Sequence, residues 1–164
     1  MARYSAAWTT VTCAAVADTT AFTIGNHCGE LRSGGATQQL KINEVSISGE
    51  DTASTPTTFI LARTSTISVG ALSVGTLAVT DFTVTAPGTL PAWGSTSATS
   101  YGQRSSTLYL LSTGLNTYGG IYRWQARYGE ELTVYGNTAS GGEVCMSSKT
   151  GAGKSSGHIL LEVV

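Results

Sequence analysis

Apolar and polar residues alternate along most of the chain with the period of two that is typical of β-strands. Between Gln39 and Ser48 the apolar positions are Leu40, Ile42, Val45 and Ile47. The alternation slips by one residue at Asn43 and Glu44, which predicts a β-bulge. No segment repeats its apolar residues with a helical period. The pattern therefore predicts an all-β protein.

Further strands of the same kind are expected along the rest of the chain. They lie at 57–64, within 65–84, and at 104–112, 120–127, 132–135, 143–148 and 158–164. Glycine-rich turns separate them at spacings of about ten residues. About eight antiparallel strands from Gln39 onward predict a jelly-roll β-sandwich occupying residues 38–164. Residues 1–37 are expected to form an N-terminal extension, or arm, with one strand-like piece at 3–11.

Composition and charge narrow the range of functions. Charged residues make up only 12% of the chain, and the net charge of −1 includes no run of basic residues. A nucleic-acid partner is therefore not expected, because such surfaces need clustered Lys and Arg. No apolar run is long enough for a transmembrane helix, so no membrane partner is expected. The N-terminal stretch is interrupted by Trp8 and several threonines and is not expected to be an export signal.

The three cysteines are Cys13, Cys28 and Cys145, and their spacing contains no pair suited to a structural zinc site. Their odd number leaves at least one free thiol. Isolated thiols in a reducing compartment are the favoured interpretation, while a bridge between Cys13 and Cys28 stays open.

The stretch SSKTGAGKSSG, residues 147–157, resembles the end of a nucleotide-binding P-loop. The full motif places its first glycine at the position that Ser148 occupies here. It must also lead into a helix whose N-terminal amides hold phosphate. The residues after Lys154 instead form a predicted strand. The stretch is therefore interpreted as a flexible connector between the last two strands, and no cofactor is expected.

No arrangement of reactive side chains indicates catalysis. Glu130 and Glu131 are adjacent, so a turn with exposed carboxylates is more plausible than two carboxyls facing one substrate. His27 stands beside Cys28, but a Cys–His nucleophile also needs an orienting partner and a cleft. Two histidines are too few for a three-histidine metal site. A protein with no catalytic, metal or cofactor residues is predicted.

Four residues are candidates for contact with a partner or a ligand. Trp93 and Tyr101 lie in a stretch rich in Pro, Gly, Ser and Thr, residues 86–103, which predicts a long surface loop. Aromatic side chains with a polar atom are favoured at interfaces. Lys149 and Lys154 lie in the connector and are expected to be exposed charges at a loop tip that face an acidic patch on a neighbouring subunit.

Three stretches carry a resemblance to a known family. KINEVSISGEDTASTPTTFILART has two early strands joined by a Ser/Thr-rich loop, and GGIYRWQARYGEELTVYG has two strands around a Gly-Glu-Glu turn. GEVCMSSKTGAGKSSGHILLEVV supplies a closing pair of strands. Together they resemble the jelly-roll decoration, or cement, proteins of tailed bacteriophage capsids. The N-terminal arm is outside the resemblance.

The resemblance implies a homotrimer on the outer surface of a phage head, made in the host cytoplasm, that stabilises contacts between major capsid proteins. No site residue transfers from the family. The N-terminal arm is expected to lay a strand along a partner's sheet edge. The alternative function is a carbohydrate- or receptor-binding jelly-roll module of a phage fibre, with Trp93 and Tyr101 at its site. A cupin-like enzyme is disfavoured, because its metal site needs several histidines.

Overall fold

The computed structural model describes residues 1–24, 26–72, 77–80, 83, 89–94, 98–136 and 142–164. No helix occurs in these ranges. The strands are β1 (Ala2–Thr12), β2 (Gly29–Arg32), β3 (Gln39–Gly49), β4 (Pro56–Thr66), β5 (Val69–Gly70), β6 (Leu77–Val79), β7 (Ala92–Gly94), β8 (Ala98–Ser100), β9 (Gln103–Asn116), β10 (Ile121–Gln125), β11 (Leu132–Tyr135), β12 (Glu143–Thr150) and β13 (Lys154–Val163).

These strands form two larger antiparallel sheets and a small separate pair. The first sheet has the order β10-β3-β13-β1-β6, and β11 also pairs with β3. The second sheet has the order β7-β2-β12-β4-β9, and β5 pairs with β8. The prediction of an all-β sandwich is confirmed.

The long strands pair from the two ends of the chain inward, which is the connectivity of a jelly roll. β1 pairs with β13, β2 with β12, β3 with β10 and β11, and β4 with β9. Because β10 and β11 share one position beside β3, these strands fill eight positions. The pairs β13–β3 and β12–β4 join them into the two sheets.

Residues 1–37, which were expected to form an arm, supply the first two of these eight positions. β1 lies between β13 and β6 in the first sheet, and β2 lies between β12 and β7 in the second. From Ala2 to Trp8, one side of β1 is buried and carries Ala2, Tyr4, Ala6 and Trp8. The alternation of β1 is regular, but its alanines make it only weakly apolar. From Gln39 onward the chain therefore fills six of the eight strand positions, whereas about eight strands were predicted there.

The main core lies between the two sheets. All four apolar residues of the first predicted strand are buried in it, namely Leu40, Ile42, Val45 and Ile47. The register of β3 against β13 shifts between the pairs Glu44–Leu160 and Ile42–Leu161, which leaves Asn43 as the extra residue. The predicted bulge is confirmed. It keeps the apolar residues on both sides of the slip facing the core.

Residues 13–28, called here the crossing segment, run from the first sheet to the second. Val16 and Phe22 of this segment pack on Ile60, Ala62 and Cys145 in a second, smaller core. Ile60 and Ala62 alternate along β4 with the residues of the main core, so the crossing segment covers the outer face of the second sheet.

A disulfide bond joins Cys13 and Cys28 at the two ends of the crossing segment. The favoured interpretation of isolated thiols is therefore wrong for these two residues, because folding brings the segment's ends together. Cys145 is a free, buried thiol, and burial raises its pKa.

Candidate functional site

The glycine-rich connector joins two strands, as predicted, because β12 ends at Thr150 and β13 begins at Lys154. The sequence predicted a flexible connector, but the connector is packed against the sandwich. A Cβ atom on Gly153 would lie 2.4 Å from both Thr57 Oγ1 and Thr117 Cγ2. Its glycines thus allow a close approach to neighbouring strands and turns, and they do not form a phosphate cradle.

Lys154 helps to hold this connector. Its backbone N–H donates to Asp51 Oδ2 at 3.1 Å. The buried Thr117 hydroxyl donates to the same carboxylate and lies 2.8 Å from the Thr55 carbonyl oxygen. The hydrogen bond from Thr117 is the main reason that the pKa of Asp51 lies below its ordinary value. Lys154 is half-buried at this link rather than at an isolated loop tip.

Lys149 is tied to the crossing segment. Its ammonium nitrogen lies 3.0 Å from Tyr109 Oη and 3.9 Å from Asp18 Oδ2. It also lies 4.8 Å from the centre of the Tyr109 ring. The Tyr109 hydroxyl donates to the Asp18 carboxylate at 2.5 Å. The side chain of Lys149 stays partly exposed, so its contact with a neighbouring subunit remains a prediction.

Arg104 is the fully buried centre of the same network, and sequence reasoning missed it. Its Nε lies 2.8 Å from Asp18 Oδ1, and its Nη1 donates to Ser147 Oγ and the Ser148 carbonyl, both at 3.0 Å. Its Nη2 donates to the Val16 carbonyl. Burial acts to raise the pKa of Asp18, but hydrogen bonds from Tyr109 and Arg104 outweigh it, and that pKa is lowered. Arg104 therefore attaches the crossing segment to the second sheet.

Trp93 belongs to the core rather than to an exposed loop. It lies in β7, which pairs with β2, and only 3% of its surface is exposed. Its ring centre is 5.9 Å from that of Trp8, and its indole N–H donates to the Ala7 carbonyl at 3.1 Å. The expectation of a surface loop is therefore wrong at Trp93. Residues 86–88 and 95–97 of that predicted loop are outside the described residues.

Tyr101 is half-buried and packs edge-on against His27, with ring centres 5.5 Å apart. His27 is fully buried and stacks on Phe22 at 4.7 Å. Burial lowers the pKa of His27 to about 4, so the ring is neutral at neutral pH. Its neighbour Cys28 is in the disulfide bond and cannot act as a nucleophile.

Glu30 and Glu143 form a buried pair of carboxyl groups that sequence reasoning did not find. Glu30 Oε1 accepts from the Gly102 N–H at 3.0 Å, and Glu143 Oε2 accepts from the Ser68 N–H at 3.0 Å. Burial, and then the charge of Glu143, raise the pKa of Glu30 to about 9. Both side chains are closed off from solvent, and their hydrogen bonds join β2 and β12 to the backbone at Gly102 and Ser68.

Two further carboxylates, those of Glu131 and Glu44, are also bound by neighbouring groups of the protein. Glu131 Oε1 accepts from the Gly129 N–H at 3.0 Å, in the predicted turn. Glu44 lies 2.6 Å from Arg123 Nη2 and 3.1 Å from His158 Nε2. The hydrogen bond from Arg123 is the main reason that the pKa of Glu44 is lowered.

The side of the sandwich that carries β9 and β10 is open. In the described part of the chain, β10 pairs only with β3, and β9 pairs with β4. On its other side β9 contacts the crossing segment only at its start, through the bridge between Ala21 and Gln103 and the bond from the Thr19 N–H to the Arg104 carbonyl. Leu108 of β9, Ile121 of β10 and Tyr118 between them are exposed. We call residues 105–125 the open edge. Unpaired edges that carry apolar side chains are templates for association with another chain.

Among the described residues, no group of three or more His, Cys, Asp and Glu side chains is placed to hold a metal ion. The same residues contain no helix of the length and apolar character needed to cross a membrane. Neither a protein-family model, nor a curated protein, nor a solved structure matches this chain.

Proposed function

We propose that this chain is a non-enzymatic structural protein of a virion, a capsid decoration or cement protein. It binds the outer surface of a phage head as a homotrimer and stabilises contacts between major capsid proteins. The resemblance of the three stretches from Lys41 onward suggests this function, and the jelly-roll connectivity is compatible with it. The observation that carries the proposal is the open edge.

The open edge has the features that an interface between copies needs. Beyond Arg104, the outer side of strand β9 has unpaired backbone groups that can hydrogen-bond to a neighbouring chain. Ile121, 78% exposed, and Leu108 would be covered by such a neighbour. In a ring of three, the edge of each copy meets a different surface of the next copy, so the contact closes on itself.

The disulfide bond between Cys13 and Cys28 agrees with a place on the outside of a particle. Disulfides persist in oxidising surroundings and are rare in the cytosol. A head released from its host meets such surroundings, although the chain itself is made in the host cytoplasm. We therefore infer that the working protein is on the outer capsid surface.

The contact with the major capsid protein needs a surface other than the predicted N-terminal arm. β1 pairs with β13 on one side and, over Tyr4–Ala6, with β6 on the other. A strand paired on both sides cannot add to a partner's sheet without leaving its own. Exposed surfaces of the folded sandwich are therefore the candidates for the capsid contact.

Light scattering and co-sedimentation with empty heads of the virus that encodes the chain test this function. We expect three chains per particle, and binding to assembled heads but not to free capsid protein. Ile121→Asp should yield monomers, because it places a charge in the covered edge. Ile24→Asp changes a similarly exposed isoleucine, 67% exposed, in the crossing segment and should leave the trimer intact. A wild-type monomer that does not bind heads would overturn the proposal.

A further inference from the structure

A groove of about 690 Å³ crosses the outer face of the first sheet. Cross-strand neighbours line its centre: Arg3 pairs with Glu162, and Glu162 pairs with Lys41. These three residues alternate with the buried residues of their strands, so they lie on the face away from the core. The volume is within the range of sites for small molecules, which is about 300–1,000 Å³.

One wall of the groove is held in place by the protein itself. This wall is the turn between β10 and β11, which contains Tyr128. The Ala126 N–H donates to the carbonyl of Asn43, the extra residue of the bulge, at 2.8 Å. At the tip, the Gly129 N–H donates to Glu131 Oε1 at 3.0 Å. A wall fixed in advance loses little conformational entropy when a ligand binds.

The side-chain charges of the groove cancel. The two cations are Arg3 and Lys41, and the two carboxylates are Glu131 and Glu162. Arg3 and Glu162 are already within 3.8 Å of each other. Neither an anion nor a cation is therefore favoured as the ligand, because electrostatic recognition needs a surface of opposite sign.

The uncharged lining residues supply the remaining recognition chemistry. Asn43 and Gln125 offer amide groups, each of which can both donate and accept hydrogen bonds. Tyr128 is fully exposed and presents an aromatic ring at the wall. A small number of polar groups beside an aromatic surface is the usual means of orienting a small ligand. A neutral sugar matches this set, since it has hydroxyl groups at its rim and an apolar C–H face.

We propose that this groove binds a neutral glycan. One sugar ring packs on Tyr128, and hydroxyl groups bond to the amides of Asn43 and Gln125. The proposal does not rest on the trimer or on binding to a capsid. It also assigns the glycan contact to Tyr128 on the outer face of the first sheet. Tyr101 packs on the smaller core at the outer face of the second sheet, and Trp93 is buried.

The test is an array that carries neutral, sialylated and sulfated glycans, followed by calorimetry with the neutral glycan that binds best. We expect neutral glycans to bind and acidic ones to have no advantage. Tyr128→Ala should weaken binding about tenfold, because it removes the aromatic surface. Asn43→Ala should also weaken it. Tyr135→Ala, at an exposed tyrosine of β11 that does not line the groove, is the matched control and should bind like the wild type.

Three results would overturn this proposal: no binding to any neutral glycan at millimolar concentration, binding that survives Tyr128→Ala, or a preference for acidic glycans. Far-ultraviolet circular dichroism and melting curves establish that each variant is folded. Head binding and trimer formation are measured on the same samples. If the protein binds heads but no neutral glycan, only the proposed glycan site is rejected. If a monomer binds the glycan but does not bind heads, only the decoration function is rejected.

Discussion

Removing the disulfide bond between Cys13 and Cys28 should lower the free energy of unfolding by about 3 kcal/mol. The two cysteines are 15 residues apart in sequence. The chain-entropy relation gives about 3 kcal/mol for a loop of this length. In a domain of this size each kcal/mol shifts the melting temperature by about 2–4 °C, so the double variant Cys13→Ser/Cys28→Ser should melt about 6–12 °C lower.

Cys145 provides a local assay for the same change. It is fully buried and packs with Val16 and Phe22 of the crossing segment. It is the free thiol of the oxidised protein and becomes the sole cysteine of the double variant, so alkylation reports the same site in both. When labelling proceeds through opening, a loss of 3 kcal/mol accelerates it by up to about 100-fold. Cys145→Ser in the wild-type background should show no labelling.

The result that would refute this reasoning is a melting temperature within about 2 °C of the wild type together with an unchanged rate of alkylation. The crossing segment would then be held by the packing of Val16 and Phe22, by the ion pair of Asp18 with Arg104, and by hydrogen bonds. These include the bond from the Val16 N–H to the Ser148 carbonyl at 3.2 Å and the bond from the Phe22 N–H to the Gly102 carbonyl at 3.1 Å.

Two further perturbations test the buried polar groups. Arg104→Met should cost about 3 kcal/mol in urea unfolding, because it removes the buried donor that Arg104 supplies to Asp18 and to the Val16 and Ser148 carbonyls. Arg3→Met at an exposed pair should cost at most about 1 kcal/mol, and equal costs would contradict the role of burial. The folded protein keeps a proton on Glu30, with its pKa of about 9, that the unfolded chain releases near its ordinary value of 4.5. The contribution of this group to stability should therefore fall as pH rises from about 4.5 to about 9, and Glu30→Gln should remove most of this fall. If the urea midpoints of the wild type and of Glu30→Gln decline in parallel with pH, the carboxyl pair is not the cause of the fall in stability.

The buried side chains illustrate what the pattern of residues could not predict. Arg104 begins a predicted strand, and nothing in its neighbours indicates that it is fully buried. Its burial depends on Asp18, which is 86 residues away in sequence. Trp93 lies in a stretch of turn-forming residues, and its burial depends on Trp8 in another sheet. A charged or polar group becomes stable inside a protein only when folding brings its partners to it.

The connector at Gly153 shows a prediction that was right in type and incomplete in reason. Its position between two strands was evident from the short apolar run that follows it. The close contact with Thr57 and Thr117 was not evident, because both residues are far from Gly153 in sequence. Thr57 is near the start of β4, and Thr117 is in the turn between β9 and β10. A glycine therefore indicates a turn, but not which backbone lies against it.

Alternation of side chains was sufficient to establish the all-β class, the buried side of β3 and the bulge at Asn43. These properties are local, because a strand with one buried face must change side at every residue. The tertiary structure decided that β1 pairs with β13, that residues 1–37 belong to the sandwich, and that Cys13 meets Cys28. Such pairings join distant parts of the chain, so they are selected by the packing of the whole core rather than by neighbouring residues.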